Sequence, residues 1–138
     1  MKSNLRTLLG LGLVLVAASA FAQTIRVKSD VPFNFVVDKQ TLPAGEYTIQ
    51  SMDMSGMTLA IRDAEGRQVG QVQTIRCEKL DSSKETKLVF HRLGDRYFLS
   101  QVWVVGQNDG HELSRSRQEK EVALNTAEEN VVITASLR

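Results

Sequence analysis

Cysteine, histidine and long apolar runs are nearly missing from this chain, and each gap closes off a class of protein. Cys77 is the single cysteine in 138 residues, so no intrachain disulfide can form. The fold must then be held by an apolar core. Gln23, rather than a cysteine, follows the N-terminal segment, which removes the attachment point of a bacterial lipoprotein. The uncharged stretch from Leu8 to Ala20 falls well short of the roughly 20 residues that cross a bilayer as a helix. No second such run occurs. The aromatics comprise one Trp, two Tyr and five Phe, too few for the girdles of a transmembrane β-barrel.

A dominant charge is lacking as well. Removing Lys2 and Arg6 from the 17 basic residues leaves 15 against 16 acidic ones, a formal charge of −1. This balance supplies no electrostatic footprint for nucleic acid or for an anionic membrane. His91 and His111 are the only histidines, and neither an H-x-H nor an H-E-x-x-H spacing sets two ligands on one element. No metal or other cofactor is expected. Ser55, Ser100 and Ser114 lie outside any G-x-S-x-G elbow and have no base paired with them in sequence. Glu128 and Glu129 are neighbours that read as a solvated loop.

The first 22 residues carry an address. Lys2 and Arg6 lead, an apolar stretch follows, and Ala20-Phe21-Ala22 forms a small-x-small cleavage pattern. This is the layout of a secretory signal peptide. Cleavage after Ala22 leaves 116 of the 138 residues, Gln23 to Arg138, as one exported domain, periplasmic or extracellular.

Alternation dominates that domain. Ile25 and Val27, then Phe33, Phe35 and Val37, then Tyr47 and Ile49, then Met57, Leu59 and Ile61 each share a face between polar neighbours. Such runs read as half-buried antiparallel strands. Leu42-Pro43-Ala44-Gly45, Asp63-Ala64-Glu65-Gly66 and Leu93-Gly94-Asp95-Arg96 supply the turns between them. The phase slips between Val69 and Cys77, which places a β-bulge near residues 70 to 73. From Tyr97 to Val105 both faces are apolar, with Tyr97, Leu99, Trp103 and Val105 on one and Phe98, Val102 and Val104 on the other. Gln107-Asn108-Asp109-Gly110 reads as a loop. Ser116-Arg117-Gln118-Glu119 matches a capping box that opens a helix ending near Leu124. The expected fold is all-β: a single antiparallel meander of seven or eight strands, a small barrel or sandwich, with one short helix over 116–124.

Candidate contacts are few. Arg115 and Arg117 flank Ser116 near a helix start, where guanidinium groups and backbone donors could hold an anion. A solvated helix balanced by Glu112, Glu119 and Glu121 explains them as well, and is the preferred reading. His91, Arg92, Asp95, Arg96 and Tyr97 bracket one hairpin. His91 and Arg96 join the candidate surface, although charges at a hairpin end usually just keep it wet. Cys77 shares its face with Ile75 and reads as an inert, small hydrophobe.

Val31-Pro32-Phe33-Asn34-Phe35, Leu42-Pro43-Ala44-Gly45-Glu46-Tyr47, Leu88-Val89-Phe90-His91-Arg92, Gly94-Asp95-Arg96-Tyr97-Phe98-Leu99 and Glu112-Leu113-Ser114-Arg115-Ser116-Arg117 together resemble segments of small exported β-rich proteins of soil bacteria. The resemblance spans about residues 31 to 124. It implies export and a shared β fold, and no particular activity. The expected function is a non-enzymatic envelope or secreted protein that contacts a partner through loops or a sheet face. The alternatives are a small hydrolase of envelope polymers, and a carrier holding an apolar ligand among residues such as Phe33, Phe35, Leu59 and Trp103.

Overall fold

The computed structural model describes residues 25–78 and 84–137. The expected signal peptide, residues 1–22, lies outside them. The described chain is mostly strand: β1 (Arg26–Val31), β2 (Phe35–Val37), β3 (Gln40–Leu42), β4 (Gly45–Ser51), β5 (Thr58–Arg62), β6 (Gln68–Glu78), β7 (Lys87–Leu93), β8 (Arg96–Trp103), β9 (Asp109–Leu113), the helix α1 (Arg117–Ala123), β10 (Glu128–Thr134) and β11 (Ser136–Leu137). The all-β expectation with one short helix holds. Its strand count and its simple meander do not.

Three local events account for the extra strands. Asp38 takes a φ of 56°, a left-handed turn that ends the Phe33–Asp38 run and folds Gln40–Leu42 back on it as the hairpin β2–β3. Asp109 and Gly110, which read as loop, open β9. Ala135 breaks the Val131–Leu137 stretch, in which Val131, Ile133, Ala135 and Leu137 alternate as one strand would, into β10 and β11. The ladder runs β10-β7-β8-β9-β6-β5-β4-β1-β11. β2 leaves this path and lies parallel to β8, with Val36 opposite Phe98. It takes the half of the β8 edge that β9 leaves open, since β9 pairs β8 only at Gln101 and Val102.

The long strand β6 links two groups of strands. Its first part pairs β5 and its second part, from Thr74, pairs β9. Val69 is the extra residue between the pairs Ile61–Gly70 and Arg62–Gln68, one position before the predicted bulge. The ladder does not close. β10 pairs β7 and β11 pairs β1, and beyond these the Ser29 hydroxyl donates to the Thr134 carbonyl at 3.0 Å.

The inner faces of both groups meet in one cluster that includes Val27, Phe35, Tyr47, Ile49, Leu59, Ile61, Phe90 and Val102. The Phe35 ring sits edge-on to Tyr47 and Phe90 at 5.1 and 5.5 Å. Phe33 stacks on Tyr97 at 3.8 Å. Burying each such side chain contributes roughly 1.5–3 kcal/mol.

β8 departs from its predicted faces. Leu99, Val102 and Val104 all point inward, and Phe98 packs outward with Val36 and Leu93 beneath Val122 and Ala123 of α1. The cause is a register shift: Val89 faces Gln101 while Phe90 faces Leu99, so Ser100 is an extra residue and the phase reverses there.

Candidate functional site

That extra residue lies in the most concentrated polar cluster of the outer face. A bulge bends its strand and re-aims a side chain, and Ser100 Oγ stands 3.0 Å from Nε2 of His91 on β7. Opposite, Nδ1 of His91 stands 2.9 Å from Glu119 Oε1 on α1. The helix places Glu119 there because Ser116 caps it, its hydroxyl accepting from the Glu119 N–H at 3.1 Å. This is the forward half of the predicted capping box, and the Glu119 carboxylate itself goes to the imidazole. Glu128 of β10 brings Oε1 to 3.4 Å from His91 Nε2 and is held by Arg115, whose Nη2 donates to both carboxylate oxygens at 2.8 Å.

Serine, imidazole and carboxylate thus stand in the order a hydrolytic triad requires. One feature sets the cluster apart from a working one: Ser100 and Glu119, the latter on the inward side of the helix, are each only 4% exposed, which leaves a substrate no approach. As arranged, the cluster ties α1, β7, β8 and β10 together through hydrogen bonds that satisfy otherwise buried polar groups.

The sequence candidates divide around this helix. His91 and Arg115 belong to the cluster. Arg96 lies over the Phe98 ring at 5.9 Å, and Gln118, with its amide oxygen turned inward, accepts from both Arg96 Nη atoms at 2.9 and 2.6 Å. Arg117 points to solvent, 3.4 Å from Glu121. Arg115 and Arg117 therefore face different carboxylates rather than a common ligand. Glu128 and Glu129, expected in a loop, open β10. No spacing in the sequence joins residues 91, 100, 119 and 128. The one local signal was the capping box at 116–119.

A second site lies at the end of the molecule formed by the β4–β5 and β8–β9 connections. An open cleft of about 610 Å³ is lined by residues that include Ile25, Met54, Gly56, Arg76, Asp109 and His111. Met54, which lines it, is exposed, as are Met52 and Val105 close to lining residues in sequence. Arg76 and Asp109 pair loosely at 3.6 Å. His111, expected to be solvated in a loop, is half-buried on β9, with Nδ1 at 3.4 Å from the Thr74 hydroxyl. Burial first, then the Arg76 guanidinium, holds its pKa below the usual 6.5 against the opposing pull of Asp109 and a hydrogen bond with the Gly56 backbone. Cys77 is partly exposed and Ile75 is 57% exposed, so the face they share looks outward rather than into the core.

No group of three or more His, Cys, Asp or Glu side chains among the described residues is placed to hold a metal ion. No described helix is long and apolar enough to cross a membrane. Comparison with known proteins finds no matching family model, curated protein or solved structure. The two sites are read from their own chemistry.

Proposed function

We propose that this chain is an exported, non-enzymatic binding protein that engages an envelope component at the cleft beside His111. One observation carries the reading: an open cleft with polar groups on its walls and the exposed apolar side chain of Met54 among its lining residues. Fixed donors and acceptors orient a ligand, while Met54 supplies apolar area to bury against it. The carrier reading is less well supported, because the interior expected to hold a ligand is occupied by packed rings of Phe35, Tyr47 and Phe90. The architecture suits an open sandwich better than a barrel, with β6 as the strand common to both layers. The resemblance to exported β-rich proteins of soil bacteria agrees with export.

The test places a photo-crosslinking amino acid at Met54 and, as a control, at the exposed Thr41 on β3, in the producing cell. A product specific to position 54 that is lost with His111→Ala and Arg76→Ala supports the reading. Equal labelling at both positions overturns it.

The order Ser100–His91–Glu119 favours a second reading, a serine hydrolase opened by displacement of α1. A fluorophosphonate probe decides the matter. Stoichiometric labelling of the wild type, abolished in Ser100→Ala and His91→Ala, would establish the enzyme. Absence of labelling leaves the cluster its structural role.

A further inference from the structure

We propose that β10 is an edge through which two copies of this chain join, antiparallel, into one continuous sheet. Among the described residues β10 has one ladder partner, β7, and its other edge meets β1 only at its C-terminal end, where the Ser29 hydroxyl donates to the Thr134 carbonyl. Exposed edges present unpaired N–H and C=O groups, and single-copy proteins blunt them with charged side chains, above all lysine, or with proline or a bulge. β10, Glu-Glu-Asn-Val-Val-Ile-Thr, has no lysine, proline or bulge, carries its only charges at its first two positions, and keeps its ladder with β7 unbroken from Glu128–Leu93 to Thr134–Lys87. Val131 and Ile133 turn inward against the core cluster, while Val132 is 49% exposed on the outer face. The strand is β-prone, flat in register and apolar at its centre.

The charge pattern selects the partner. In an antiparallel pair of two copies centred on Val131, Val131 meets Val131, Asn130 meets Val132 and Glu129 meets Ile133, while Glu128 lies beyond the join. Neither acid opposes an acid. Both are in addition engaged within their own copy, Glu128 by Arg115 at 2.8 Å and Glu129 by Arg92 at 3.7 Å. A self-complementary edge of this kind generates a two-fold dimer, the commonest closed assembly.

Sedimentation of the purified protein over a wide concentration range should show a monomer–dimer equilibrium. Val132→Glu adds an acid whose diagonal neighbour across the join is its own copy, where like charges repel. It should raise the dimer dissociation constant tenfold or more, and because Val132 is exposed the fold should be kept. In a Cys77→Ser background, Val131→Cys should form a disulfide dimer on oxidation. Directly opposed Cα atoms stand roughly 4.5–5.5 Å apart, within the range a disulfide spans. Glu129→Cys, with its copy about 13 Å away in this register, should not. A protein monomeric at every concentration overturns the proposal. So does a dimer unaffected by Val132→Glu, or one cross-linked through residue 129 rather than 131.

Discussion

The indole of Trp103 lies flat against Gly110 across the β8–β9 pair. A methyl group built on Gly110 would stand 2.8 Å from three of the ring carbons, which leaves no room for any side chain. Glycine within a strand normally weakens the ladder, and a close approach by another group is one reason to find it there. Here the ring supplies what the missing side chain does not. Trp103 is 2% exposed, with its Nε1–H donating to Gln101 at 2.9 Å.

Gly110→Ala should therefore destabilise the protein by roughly 1–3 kcal/mol, the usual range for overfilling a packed site. Trp103→Ala should cost more, roughly 3–5 kcal/mol. Urea denaturation midpoints check both. A Gly110→Ala protein as stable as the wild type would show that the ring can step aside.

This contact also shows why β9 was not legible in the sequence. Asn108-Asp109-Gly110 has the composition of a loop, and only an indole from a neighbouring strand makes glycine the required residue at 110. The alternating runs of β1, β4 and β5 were plain, because each presents apolar residues to one shared core at period two. The β8 faces were misassigned for a different reason. Ser100 is one residue too many for its ladder with β7, and a bulge in an otherwise apolar strand leaves no mark in composition. The cluster at His91 was invisible on similar grounds, since its members come from three strands and a helix and no spacing links them. Of that site only the Ser116 cap could be read in advance.

The His91–Glu119 pair is the polar fastening of α1. Their side chains are 13% and 5% exposed at a separation of 2.9 Å. Removing Glu119 leaves His91 Nδ1 without its carboxylate in a poorly solvated place and costs roughly 1–3 kcal/mol. Glu119→Ala should lower stability by that order and expose the α1 amides to hydrogen exchange ahead of the sheet. Glu119→Gln, which keeps the shape and an acceptor, should lose less. Unchanged exchange in the Ala variant would assign the anchoring of α1 to Val122 and Ala123 alone.

His111 should give the fold a dependence on pH of definite sign. Its folded-state pKa lies below the ordinary 6.5, so the unfolded chain binds the proton more readily. The contribution of this residue to stability is complete above about 6.5 and declines as pH falls from there toward the depressed value. Denaturation midpoints measured on either side of 6.5 should show the decline, and His111→Gln should remove its share. An identical profile for wild type and variant would separate His111 from the effect.

Export makes a further prediction from Lys2, Arg6 and the Ala20-Phe21-Ala22 pattern. The intact mass of the protein recovered outside the cytoplasm should correspond to a chain beginning at Gln23. Recovery of a soluble cytoplasmic species beginning at Met1 would remove the localisation.

Val27 pairs with Leu137, so a strand near the start of the domain receives its outer neighbour from the far end of the chain. The segment that makes this pairing also supplies the neighbour of β7 through β10. Neither edge is complete until this segment has been synthesised. Pairings across so much sequence close slowly, because the chain must first give up the freedom of the whole intervening loop. The pairings at both edges thus wait on residues 128–137 and should form after the hairpins that join strands adjacent in sequence.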